Sequence, residues 1–458
     1  MRPVGVSAKR PEARLKKPSN FRILISVAGL LLLAFAGYFK ASPPMQRLVP
    51  IDLTLVGAAL VMAIVFYTLL TQRFRLPAGT WAVLVLWASF FIGFPVGEWN
   101  VYTQSKILYL FTLSLPCAVG AVVLLRTSKA RTWLLAGVVA LGVLMAVLSI
   151  VSPNEQAAIN GRLAVDGSNT IAAGRAAGAA VVVLLVLALG RSRQWRLAVL
   201  AAMGLSLSMI AAGSRGPLLA AIIAVIIVST ASRSARKVQR LALGLGALAL
   251  AWWVASQLQL IPERLMTISD GSSTERGELW ALAASLMGSH PQGIGWGNLY
   301  QYLTTSPMVE SAILQYPHNL ILEVFSESSW IAGIILVIVL VKALKRQWEA
   351  ATTPVEMAML GLFIFFLQSA MVSGDVNSNR GVWIALGAGL VAVQSAPTSP
   401  KKRSKRDANT RLLNQTPSAR VLPSQSGGEA LGAWRSPRTE LPGVESFHDH
   451  PKTHPHVS

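Results

Sequence analysis

Apolar residues run along this chain in long blocks, neither alternating nor arranged in narrow stripes. From 21 to 393 nearly every block is long enough for a helix to cross a bilayer core of roughly 30 Å, a span that takes about 20 residues. Read with a window of about 19 residues, the pattern predicts helices over 22–40, 51–70, 77–96, 105–125, 132–151, 170–190, 197–212, 216–230, 238–257, 318–341, 355–373 and 381–395. The predicted fold class is all-α: a polytopic membrane protein with about twelve transmembrane helices.

Charge tests this count, because cytoplasmic loops collect Lys and Arg. Starting inside with the basic leader (Lys9, Arg10, Arg14, Lys16, Lys17), the inward connections carry Arg73 and Arg75; Arg126, Lys129 and Arg131; Arg191, Arg193 and Arg196; Arg233, Arg236, Lys237 and Arg240; and Lys342, Lys345 and Arg346. The twelfth helix returns the chain to "KKRSKR" at 401–406, so both termini are expected in the cytoplasm. Adding or removing one helix breaks the alternation. Outward connections are poor in Lys and Arg, and two are long, 152–169 and 258–317. The second is large enough for a small extramembrane subdomain, and function is expected to concentrate there.

Composition agrees with this plan: 53% of the residues are hydrophobic and 13% charged. The net charge of +21 would suggest nucleic acid in a soluble chain, but here the basic residues sit in short loops and at the ends. They read as topological, and no nucleic-acid partner is expected. Cys117 is the only cysteine, so no intrachain disulfide can form. The expected organisation is a basic cytoplasmic leader at 1–20, one membrane domain at 21–395 that starts with an uncleaved first helix, and a disordered basic tail at 396–458. The tail ends "FHDHPKTHPHVS"; its four histidines could bind a metal loosely, although such tails are usually just solvated.

Arg215, in "MIAAGSRGPLLAA", falls on the outward side, where an inside anchor has no place. Its flanking apolar runs of about 16 and 15 residues are short for a span, so the turn is expected to sink below the outer surface. A charge there needs a partner or a wet cavity. One reading is an arginine snorkelling to lipid phosphate; the other is an anion-binding arginine beside the free N–H groups of a helix start at Gly216 and Pro217.

Arg276 opens a helical pattern in the long outward loop, with Leu279, Leu282 and Leu286 on one face before "HPQGIGWGN" breaks it. Gly293, Gly295 and Gly297 lack the lysine and the strand–turn–helix context of a nucleotide site. His318 opens the tenth helix at the outward mouth, where an imidazole can exchange a proton or bind an anion. Glu323 and Glu327, four residues apart inside that helix, need interior partners such as Arg or a hydroxyl. In the outward turn "SGDVNSNRGVW", Asp375 and Arg380 pair with each other or face the cavity. Each residue also has an ordinary capping or packing reading. Together, Arg215, Arg276, His318 and Asp375 come from four outward connections, which predicts an outward site for an anionic substrate.

The segments "GSRGPLL", "ERGELWALAASLMGSHPQGIGWGN", "PHNLILEVFSE" and "SGDVNSNR", in this order across about 170 residues, resemble the O-antigen ligase and O-antigen polymerase superfamily. The resemblance implies an all-helical glycosyltransferase of the bacterial inner membrane, with a large periplasmic loop before the tenth helix. It would transfer a glycan from undecaprenyl diphosphate to an acceptor sugar, on lipid A core or a growing chain, without metal, nucleotide sugar or other cofactor. Direct displacement would invert the anomeric carbon. Arg215 and Arg276 match the arginines expected on the diphosphate, and His318 matches the essential histidine, as general base or phosphate ligand; Glu327, Asp375 and Arg380 are supporting residues. Where the family often has glycines after the helix-ten glutamate, this chain has Ser329 and Ala332. Exopolysaccharide polymerisation and protein O-glycosylation are alternatives within the resemblance. A transporter of an anionic or lipid-linked substrate is the alternative of another class, and would need ionisable elements near the midplane with access from both faces.

Overall fold

The computed structural model describes residues 19–39, 50–71, 76–189, 195–231, 237–267, 271–303 and 316–391. Contacts divide the chain into Met1–Ala396 and Pro397–Ser458, and the second unit lies outside the described residues. So do the basic leader to residue 18, the tail with its histidines, and the loop residues Arg73, Arg75, Arg191, Arg193, Arg233 and Arg236. Among the described residues the protein is 80% helical, with no strand beyond a single bridge between Pro153 and Val165.

The helices are α1 (Asn20–Phe35), α2 (Leu53–Thr71), α3 (Ala78–Phe90), α4 (Val101–Tyr109), α5 (Leu115–Leu124), α6 (Ser128–Val151), α7 (Glu155–Ile159), α8 (Thr170–Leu189), α9 (Trp195–Ala211), α10 (Arg215–Ala231), α11 (Lys237–Gln257), α12 (Glu263–Met266), α13 (Gly271–Ser289), α14 (Leu320–Glu323), α15 (Trp330–Ala350), α16 (Pro354–Val372) and α17 (Arg380–Gly389). Among the described residues each of the twelve apolar segments is largely helical, the tenth in two pieces; α4 and α5 form one run through a π-helical turn at Leu110–Ser114. By length and composition, six helices can cross a membrane: Asn20–Tyr38, Leu53–Thr71, Val101–Leu124, Ser128–Val151, Thr170–Leu189 and Pro354–Val372. Ala78–Gly93, Trp195–Ala211, Arg215–Ala231 and Leu241–Gln257 are shorter apolar helices.

α8 and α16 are buried almost all round and form the centre of the bundle. Small residues make this possible. A Cβ added to Gly142 would come within 2.5 Å of the Ala180 Cβ, and one on Gly178 within 2.8 Å of the Phe365 ring. Lipid gives apolar helices little reason to associate, so close backbone approach and dispersion supply the attraction.

Side-chain contacts sort the helix ends into two sets. At one end Lys129, starting α6, donates to Asn20 Oδ1 at the start of α1 (2.5 Å), and Arg22 donates to Thr68 Oγ1 late in α2 (2.5 Å). There too Arg131 pairs with Glu356 at the start of α16 and donates to Ala388 O and Val391 O at the end of α17, at 2.9 and 3.2 Å. Arg346 of α15 donates to Leu390 O (2.8 Å). The opposite end gathers the start of α8, the α9–α10 turn and the end of α16, through Arg162 on Thr170 and Ala212 O and through Arg175 on Ser369 O and Ser373 O.

Arg131 is 1% exposed and serves as both ion-pair partner and helix cap. Arg131→Ala leaves Glu356 buried without its cation, a change worth about 3–5 kcal/mol. The expected result is a clearly lower thermal midpoint in detergent. A paired Arg131→Met, Glu356→Leu variant should recover most of that loss.

A candidate active site around His318

The tenth apolar segment, expected as one helix over 318–341, is broken in two. Asn319 caps α14, its Oδ1 accepting from Ile321 N and Leu322 N at 3.1 Å each. A π-helical turn follows at Val324–Ser328, and Ser329 is extended before its hydroxyl caps α15 by accepting from Ala332 N. The break frees backbone groups, and the glycine loop satisfies them: Ile294 N donates to Ser326 O (2.9 Å), Gly295 N to Glu327 O (3.0 Å), and Trp330 N to Pro291 O (2.9 Å). Gly295 has φ 87°, and a Cβ there would lie 1.9 Å from Val96 O. The "GIGWG" glycines thus let a loop plug a broken helix, which no local pattern announced.

Below the plug, Lys106 Nζ lies 2.7 Å from Glu323 Oε1 and 2.5 Å from Glu327 Oε2. Glu327 Oε2 also accepts from Gly297 N at 2.8 Å. All three side chains are buried, and the rings of Tyr102 and Trp296 each lie 5.8 Å from the ammonium. The glutamates therefore have an interior partner, and it is a lysine. Sequence reading missed Lys106, though the signal existed: a lysine within the predicted helix 105–125, near the end that the alternation makes outward.

His318 sits immediately before α14 with φ 54°, a left-handed conformation that costs a non-glycine residue about 1–2 kcal/mol. Its ring meets Tyr316 at 4.5 Å between centroids, and its Nδ1 is buried without a hydrogen bond. Three charges from three other elements act on it: Arg276 of α13, Arg175 of α8 and Asp375 of the turn after α16. Burial, then the cation Arg276, push its pKa down to about 4, while Asp375 opposes them. The imidazole is therefore neutral at neutral pH. The Tyr316 phenol is raised to about 12, chiefly by burial, and stays protonated. Arg276 lies in the second turn of α13, since that helix begins five residues earlier.

Asp375 belongs to a braced turn. Its Oδ1 accepts from Ser378 N (2.7 Å), and Asn379 Nδ2 donates to Ser373 O and Asp375 O at 3.2 and 2.9 Å. Asn377 donates to Lys106 O (2.8 Å) and accepts from Ser114 (3.0 Å), tying the turn to the lysine helix. Arg380 lies elsewhere: it donates to Leu33 O of α1 at 2.6 Å. Arg215 donates to the carbonyls of Arg264 and Thr267, which end α12 and precede the helix carrying Arg276. Its guanidinium holds that loop.

Electrostatic interactions thus link His318 to Arg276, Arg175 and Asp375, and Asp375 also acts on the buried lysine–glutamate group. Residues 199–337 match the family model for O-antigen ligase. The match supports the O-antigen ligase and polymerase superfamily, and with it glycan or lipid-linked substrates in a membrane setting. A search of curated proteins finds no match. The matched segment supplies Arg215, Arg276, the glycine plug, His318, Glu323 and Glu327, while Lys106, Arg175, Asp375 and Arg380 come from helices and turns on either side of it.

Proposed function

We propose that the protein transfers a glycan from an undecaprenyl-diphosphate carrier to an acceptor hydroxyl at the periplasmic face of the bacterial inner membrane. The supporting observation is that Arg276 and a half-buried, neutral His318 act on one another within the segment that matches O-antigen ligase. As the bond between the anomeric carbon and the phosphate oxygen breaks, the leaving diphosphate gains negative charge. Arg276 stabilises it by charge-assisted hydrogen bonds, and Arg215 joins by exchanging the Arg264 and Thr267 carbonyls for phosphate oxygens. These guanidiniums do the work a metal would otherwise do. His318 takes the proton of the acceptor hydroxyl as its oxygen attacks the anomeric carbon, and direct displacement inverts that centre. Glu327, through Lys106 and the glycine loop, keeps the broken helix in register.

The test uses purified protein in nanodiscs, an undecaprenyl-diphosphate oligosaccharide and three acceptors: lipid A core, a free glycan chain and a peptide. Transfer to core marks a ligase, chain extension a polymerase, and peptide labelling a protein glycosyltransferase. Substrate movement across vesicles without transfer to any acceptor would overturn the proposal in favour of a transporter.

The pH profile separates the two roles of His318. The groups facing it are Arg276, Arg175, Asp375 and Tyr316. With the pKa lowered to about 4, a base is already competent at neutral pH and is lost only as pH falls through that value. kcat/KM should therefore be flat from about pH 5 to 8 and drop below. A rate that instead declines as pH rises from 4 would make the imidazolium a phosphate ligand.

A further inference from the structure

Arg175 stands in the apolar run "IAAGRAAGAA" of α8, outside the segment that matches O-antigen ligase. It is only 5% exposed. Burying a guanidinium among apolar helices costs several kcal/mol unless its bonds compensate. Those bonds go to one place: Nη2 donates to Ser369 O (3.0 Å) in the last turn of α16 and to Ser373 O (2.6 Å) just beyond it. Its Nε has no hydrogen bond. Next to it, Gly174 faces the Arg215 turn, where an added Cβ would sit 3.3 Å from Ser214 and Pro217.

Ser373 O is shared with Asn379, which also holds Asp375 O. A continuous chain of hydrogen bonds therefore runs from Arg175 through Ser373 and Asn379 to the backbone of Asp375. That carboxylate and Arg175 itself are two of the three charges acting on His318. Capping the end of α16 needs only a donor, such as water or a neutral amide. A buried cation whose field acts on the histidine does more than cap.

We propose that Arg175 is a positioning residue for the transfer step: by fixing Ser373 it holds the turn 373–379, and with it the Asp375 carboxylate, against His318. The proposal rests on the role given to His318 above. Arg175 acts through that turn, and its charge adds to that of Arg276 in keeping the imidazole neutral.

The test compares Arg175→Lys and Arg175→Gln in the full-length protein in nanodiscs, with thermal midpoint, kcat, donor KM and pH profile measured for each. Both variants should lower kcat per folded molecule, by up to about 100-fold, the scale of a 1 Å misplacement. Donor KM should stay within roughly twofold, as for a group that does not bind the donor. Arg175→Gln should move the acid limb to higher pH, and Arg175→Lys should leave it in place. Asp375→Asn should add little to the kcat loss of Arg175→Gln, because both act through one turn. A variant with a lowered midpoint but unchanged kcat and acid limb would make Arg175 a structural cap and overturn the proposal. Independently of transfer, the pH dependence of diethyl pyrocarbonate modification at His318, read by peptide mass, should shift upward in Arg175→Gln. No shift there overturns the charge contribution given to Arg175, an unchanged kcat in both variants overturns the positioning claim, and a wild-type protein that transfers nothing counts against the glycosyltransferase reading alone.

Discussion

Replacing His318 is expected to lower glycan transfer by about 10²- to 10⁴-fold, the range of a lost general base. Two variants are needed, because the backbone here is left-handed with φ 54°. Alanine carries a strain cost that histidine already bears, whereas asparagine tolerates this region well and keeps the fold. His318→Asn should therefore show the same kinetic loss as His318→Ala with a smaller change in thermal midpoint. The loss should appear in kcat, with donor KM nearly unchanged, since the imidazole acts on the acceptor proton. Transfer by His318→Asn at the wild-type rate would remove the histidine from the chemistry.

The second large effect is expected at Lys106. Lys106→Met leaves Glu323 and Glu327 buried with no cation between them, and breaking a buried pair in this way costs about 3–5 kcal/mol. Folded yield and thermal midpoint should fall steeply, and transfer with them. The ranking within the triad is the sharper test. Glu327→Gln should cost more than Glu323→Gln, because Glu327 holds Gly297 N as well as the lysine and so ties the glycine plug to the broken helix. A Lys106→Met, Glu323→Leu, Glu327→Gln triple variant should regain stability relative to Lys106→Met, since no charge is then left buried alone. Equal midpoints for both single glutamate variants would show that the plug does not depend on Glu327.

Much of this architecture was legible in the sequence because apolar runs are long and local. The segments 51–70 and 132–151 became α2 and α6 with shifts of only a few residues. Arg276 and His318 stood out because a charge or imidazole in an outward connection breaks the expected polarity. Lys106 and Arg175 did not, since each lies inside a segment already assigned as helix, and their partners are far along the chain: Glu323 and Glu327 for one, Ser369 and Ser373 for the other. The break at Ser329 was equally hidden. "VFSESSW" is compatible with continuous helix, and what unwinds it is a set of amides donated by Ile294 and Gly295. Arg380, read as a partner of Asp375 or the cavity, reaches Leu33 O, a contact between the first and last described helices.

The lysine–glutamate group also bears on how the chain is made. Lys106 enters the bilayer long before Glu323 and Glu327 are synthesised. It stands in the last turn of α4, six residues into the apolar run Val101–Leu124, where an unpaired ammonium is costly. Its two carboxylate partners and the Gly297 amide that meets Glu327 all come from much later in the chain. The buried lysine therefore cannot be neutralised until the segment carrying Glu323 and Glu327 has been made.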